Sequence, residues 1–165
     1  MLKVAFKEWA VVCRALASGR QSLILRKGGI AEVNGDFRPE HDRFLLYPTH
    51  FHEQQRQGIK PEFWPLLDEA ERDRPPSGVV RLSHVATVTA VRFLDNLDDV
   101  LALDPQHIWS EATVRQRFAY RNPGLYLLTV SVAPLPSPVE VVETPEYAGC
   151  KSWVELNEPV NPDPV

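Results

Sequence analysis

Leu16-Ala17-Ser18-Gly19-Arg20-Gln21-Ser22-Leu23-Ile24-Leu25-Arg26-Lys27-Gly28-Gly29 holds a helix end, a short strand and a turn in one run. Gly19 closes the helix, because glycine enters the left-handed conformation without steric cost. Gln21 to Arg26 then has a polar start, an apolar centre and a basic exit, and Lys27-Gly28-Gly29 turns the chain. Upstream, Leu2, Phe6, Trp9, Cys13 and Leu16 recur at steps of four and three, so the spacing predicts a helix over 2–18 with its apolar stripe on a core.

Downstream, strands outnumber helices. Asn34-Gly35 is a tight-hairpin signal that pairs 30–33 with 36–38, and Arg43 to Pro48 is a further strand. Pro61 opens a helix that runs to about residue 72, ahead of Pro75-Pro76. Threonine, valine and other apolar residues from Val79 to Phe93 read as one long bent strand or two consecutive ones. Short helices follow at 97–103 and 111–118, the second capped by Ser110. Residues 125–132 are the strongest strand, after which Pro134, Pro136 and Pro138 predict an extended connection without ladder hydrogen bonds, leading to a strand at 139–142. A closing strand is expected at 150–156 and a frayed tail at 157–165. This order does not alternate as βαβ units do, so the expected class is α+β, with a mixed or mostly antiparallel sheet that can curl into a small β-barrel flanked by peripheral helices. One globular domain over 1–156 and a proline-rich tail over 157–165 account for the chain.

The 165 residues, 44% of them apolar, suffice for one sizeable core. No apolar run is long enough for a membrane helix, and Lys3, Lys7 and Glu8 interrupt anything that could serve as a signal's apolar stretch, so a cytoplasmic protein with no membrane partner is expected. Cys13 and Cys150 make neither a disulfide framework nor a four-thiolate zinc site. The net charge of −4 hides an asymmetry: residues 1–30 carry six cations against Glu8, a net +5, which leaves −9 for the remainder. A basic end on an acidic body attracts an anion locally without indiscriminate binding to nucleic acid.

Four groups of residues carry candidate chemistry. Arg26 and Lys27 leave a strand beside Gly28 and Gly29, where guanidinium, ammonium and outward-pointing backbone N–H groups suit an anion such as phosphate. Lys151, if it lies near them, joins the two ends of the chain in one basic pocket; Arg43 adds charge, and Tyr47 or Trp153 offers a ring for a base. A second group, His50 and His52 with Asp42 or Glu53, could hold a metal ion, although its spacing follows no zinc motif. In the third, Cys150 beside Lys151 could act as a nucleophile but lacks a local base. The fourth, Arg115-Gln116-Arg117-Phe118-Ala119-Tyr120-Arg121, interleaves cations with aromatics, a pattern that holds single strands; its simpler reading is a helix C-terminus with Phe118 in the core. There is no P-loop, dinucleotide fingerprint or serine-nucleophile elbow.

The runs Phe6-Lys7-Glu8-Trp9-Ala10-Val11-Val12, Leu25-Arg26-Lys27-Gly28-Gly29-Ile30, His41-Asp42-Arg43-Phe44-Leu45-Leu46-Tyr47-Pro48-Thr49 and Gly149-Cys150-Lys151-Ser152-Trp153-Val154 resemble the bacterial family known as domain of unknown function 1802, over about residues 5–156. A helix ending in glycine, a charged strand and a small set of strands is also similar to the ASCH branch of the PUA-like superfamily. That resemblance implies a barrel that binds RNA or modified nucleosides. The ASCH pattern is glycine, any residue, lysine, two residues, glutamate, one residue, arginine; Gly19 and Arg26 match it, while Gln21 and Ile24 replace the lysine and glutamate. The resulting expectation is a nucleic-acid-associated binding module for RNA, single-stranded DNA or a modified nucleoside, without a cofactor. A metal-dependent hydrolase or nuclease built on the histidine cluster and a protein-interaction scaffold are the alternatives.

Overall fold

The computed structural model describes residues 1–28, 30–33, 36–149 and 152–165. The expected helix over 2–18 is instead a strand, β1 (Leu2–Trp9), followed by α1 (Ala10–Ala17). The correction has a clear cause. β1 is buried on both faces, with Phe6 in one core cluster and its neighbour Ala5 in another, so its apolar positions lose the two-residue alternation of a strand. Trp9, at φ −53° and ψ 135°, is the junction.

The rest follows as β2 (Leu23–Arg26), β3 (Ile30–Val33), β4 (Asp36–Pro39), β5 (Arg43–Thr49), α2 (His52–Gly58), α3 (Trp64–Arg72), β6 (Val79–Leu94), α4 (Leu97–Leu101), α5 (Glu111–Ala119), β7 (Leu125–Val142) and β8 (Trp153–Val160). β3 and β4 pair as a small antiparallel ladder; the Asn34-Gly35 turn expected between them lies outside the described residues. The main sheet has the order β2-β7-β6-β5-β1-β8. Only β1 and β5 run parallel, so the class is α+β with one mixed sheet. Its edges β2 and β8 are not hydrogen-bonded to each other, yet the Arg26 guanidinium of β2 lies 5.3 Å from the Trp153 ring of β8. The sheet therefore curls until its edges face across a seam, without closing.

β7 continues through its prolines as one strand, but its ladder with β6 is interrupted: Val139–Val142 pair with Val79–Leu82, and pairing resumes at Pro134 opposite His84. Leu135–Pro138 have no partner on β6, so Pro136 and Pro138 sit in a bulge where the missing N–H takes no ladder bond away. The expected extended connection without ladder hydrogen bonds is thus this bulge, while Pro134 lies in the ladder. The closing strand also runs on to Val160, past the expected stop at 156.

One core cluster packs Phe6, Phe44, Leu46, Ile24 and Leu128 against helix residues including Val12, Leu16, Leu67 and Phe118; the second, around Ala5, Leu45, Val154, Leu82 and Leu135, fills the other side of the sheet. No helix among the described residues is long and apolar enough to cross a membrane.

Candidate nucleic-acid site

A cavity of about 440 Å³ opens where β1, β2 and α5 converge. β1 supplies Phe6, Lys7, Glu8 and Trp9; the end of β2 supplies Arg26, with Lys27 and Gly28 after it; α5 supplies Gln116 and Arg117, and Tyr120 follows. Thr49 and Ser152 complete the wall. Ser152, the residue before β8, thus borders the same hollow as the exit of β2.

Local structure fixes α5 over the cavity. Ser110 caps it, its hydroxyl accepting from Thr113 N–H at 3.2 Å. The Gly58 carbonyl then accepts from Ser110 N–H and from the Thr113 hydroxyl, both at 2.9 Å, which joins α2 to the start of α5. Gly58 has to be glycine because a Cβ would come within 2.4 Å of the Trp9 ring. This close approach sets the Trp9 indole against one side of Arg117, 5.0 Å from its guanidinium, with Trp109 at 4.9 Å. Among the described residues the Arg117 guanidinium has ring contacts but no hydrogen bond or ion pair. It is a cation held in place by two rings, with its donors unspent.

Arg26 is the second fixed cation. Its guanidinium lies 4.4 Å from the Phe6 ring, Nε donates to the Gly28 carbonyl at 2.8 Å, and the buried Nη1 has no partner. Burial pushes its pKa down to about 10, opposed by Glu8 and Glu40, so it stays charged at neutral pH. Glu8, 7% exposed, faces both arginines, and its Oε1 accepts from Trp9 N–H at 2.8 Å. Burial raises its pKa, against the lowering pull of Arg117, that hydrogen bond and Arg26. No ion pair joins Glu8 to either arginine among the described residues, although its charge is coupled to both guanidiniums.

The sign of the Glu8 effect is testable. A carboxyl whose folded-state pKa is raised makes the native chain hold more protons than the unfolded one, so its contribution is present below the unfolded value and is lost as pH rises through the folded one. Glu8→Gln is therefore expected to raise the melting temperature at pH 7.5 and to change it little at pH 4, measured by thermal unfolding at both.

Lys27 has a different task from Arg26. Its ammonium donates to the carbonyls of Phe118 at 2.6 Å, Gly124 at 2.8 Å and Asn122, tying off the end of α5. Arg43 and Tyr47 stand outside the cavity: Arg43 pairs with Asp163 at 2.6 Å, and Tyr47, 2% exposed, packs edge-on to Tyr147 in the second core. Trp153 is half-buried against Phe6, Phe44 and His41, with Arg26 on its ring. Gly29, Cys150 and Lys151 lie outside the described residues. The histidine group disperses: His50 faces Glu71 at 3.7 Å, whereas His52 lies near Glu53 and Asp68. Among the described residues no three of His, Cys, Asp and Glu come together as a metal-binding group.

Sequence reasoning passed over Glu8 and Trp9 as site residues and favoured the structural reading of the run that contains Arg117 and Tyr120. Tyr120 is 56% exposed beside the cavity, and the Arg121 guanidinium lies 5.1 Å from its ring. The interleaving over 115–121 was the available signal. Gln21, at the position of the ASCH lysine, is buried; its amide donates to the Leu23 carbonyl at 2.8 Å and accepts from Ile108 N–H at 3.1 Å. Ile24, at the position of the glutamate, is fully buried in the core.

The family model described as a domain of unknown function (DUF1802) matches residues 5–165. No curated protein matches the chain. Among solved structures, ASCH from Zymomonas mobilis is similar at 14% identity, with 94% of this chain and 87% of that one covered and a TM-score of 0.55. A tyrosine-to-phenylalanine variant of that protein gives 13% identity, 94% and 90% coverage and a TM-score of 0.55. A serine-to-alanine variant gives 14%, 82% and 72%, and 0.51. At these identities the likeness shows a common fold, the PUA-like barrel architecture, here with the seam left open.

Proposed function

The chain belongs to the DUF1802 family, and from that premise we propose that it is a nucleic-acid-associated binding module that takes one nucleotide of a single strand, RNA foremost, into the cavity between β1, β2 and α5. The observation that carries this reading is Arg117: a guanidinium clamped between two indoles, its donors unused, in the same cavity as Arg26. Two ordered cations suit a phosphate, since Arg presents a planar fork of donors and loses little freedom on binding. The exposed ring of Tyr120 suits a base. A duplex keeps its bases stacked, so a concave site of this size fits an unpaired nucleotide better. The ASCH-like fold is consistent with RNA as the partner. Among the described residues no three of His, Cys, Asp and Glu come together around His50 and His52, so no observation favours the metal-dependent alternative over this reading.

The test is binding of a fluorescent single-stranded RNA octamer, and of the same octamer as a duplex, across a salt series. The single strand is expected to bind more tightly. Arg26→Gln should lower the slope of log K against log salt by about 0.7, the share of one phosphate contact on a single strand. A slope unchanged by this substitution removes Arg26 from the site, and equal binding of both octamers removes the single-strand reading. Lys27 is unsuitable for this purpose, because its loss would free three carbonyls and confuse stability with binding.

A further inference from the structure

A second cavity, of about 280 Å³ and open to solvent on one side, lies apart from the basic one, bounded by α1, α3, β5 and the first half of β6. Small side chains make the space: Ala10 and Ala17 on α1 and Ala70 on α3. Two half-buried imidazoles, His50 and His84, supply its polar edges. Nδ1 of His50 is shut off from solvent and faces Glu71 Oε1 at 3.7 Å, outside the cavity lining, so the polar edge that His50 gives the cavity is the rest of its ring. The charges at the mouth are already matched: Arg14 pairs with Asp73, and Arg81 with Glu140 at 3.0 Å.

We propose that this cavity binds a small uncharged molecule with an apolar, ring-sized body and an amide-like polar edge. The size follows from comparison: a cavity of about 150 Å³ holds benzene, so the 280 Å³ here suits a ring with a polar substituent or two fused rings. The lack of charge follows from the mouth, where an anion or cation would have to break an existing ion pair or enter without a counter-charge. The polar edge follows from the imidazoles, whose ring nitrogens, when neutral, each serve as a donor or an acceptor, His50 with Nδ1 turned away. Burial lowers the pKa of both, which keeps them neutral at pH 7. Cys13 also lines the cavity, but burial pushes its thiol well above the usual range, so it contributes a wall and no nucleophile.

The experiment compares benzamide, benzoate and benzylamine, three probes of one body and different charge, by NMR titration of the His50 and His84 ring resonances. Benzamide is expected to saturate in roughly the millimolar range, as its atom count allows, and the charged probes to bind at least roughly tenfold more weakly. Ala70→Leu, which fills the cavity, should remove benzamide binding. Ala17→Leu, at the exposed end of α1, should weaken it without touching the core, and so guards against misfolding of the first variant. RNA binding at the basic cavity should be unchanged in Ala17→Leu. The proposal is overturned if no probe saturates, if all three bind alike, or if benzamide binding survives both substitutions.

Discussion

Arg117→Ala is expected to weaken single-stranded RNA binding by roughly 10- to 100-fold, the range for losing one charge-assisted hydrogen-bonding group. Among the described residues no other guanidinium combines contacts to two indoles with a place in the basic cavity. Arg117→Lys separates the contributions: it keeps the charge, loses the planar fork and its stacking, and should recover only part of the affinity while preserving the salt slope. Fluorescence anisotropy with the octamer, alongside thermal unfolding of each variant, measures both. An Arg117→Ala protein that folds normally and binds like the parent would refute the proposed site.

Trp109→Ala should give the largest loss of stability, about 3–5 kcal/mol as for other buried aromatic deletions. Trp109 is fully buried, bridges to Ile59 through the backbone, packs against the His107 ring and forms one wall of the Arg117 clamp. Against a total of about 5–15 kcal/mol for an ordinary domain, that is a large share. At this chain length it corresponds to a fall in melting temperature of roughly 10 °C. Its indole N–H is buried without a partner, so Trp109→Phe removes an unpaired donor together with some packing and should cost much less. Both variants should bind RNA more weakly at temperatures where they remain folded, because Arg117 loses part of its support. Denaturant melts read the first effect, and anisotropy at 10 °C reads the second.

The strands and helices that face solvent on one side were legible from residue spacing and caps: Ser110 marks the start of α5, Pro61 the approach to α3, and the valine- and threonine-rich run is β6. β1 was not, because a strand between two neighbours, with Phe6 in one core cluster and Ala5 in the other, carries no alternation. Its chance steps of four and three then mimic a helix. The prolines of β7 were legible in part: Pro136 and Pro138 fall in the stretch Leu135–Pro138 that has no partner on β6, whereas Pro134 stays in the ladder opposite His84. In the site, Arg26 and Gly28 were visible because charge and glycine adjoin in the chain. Glu8 and Trp9 were hidden, since they reach the cavity only once β1 lies next to β5 and α2 packs its Gly58 on the indole. Lys27 looked like a free cation; the three carbonyls that engage it lie about ninety residues away.

Where β2 and β8 meet, a guanidinium resting on an indole does what a row of peptide hydrogen bonds would do in a sealed cylinder. On the proposed RNA-binding reading, a single strand parts this joint by displacing the Arg26 side chain from its two rings, without unzipping any ladder. Entry along the length of a strand is then expected, which leaves both ends of a long RNA free while its middle is held.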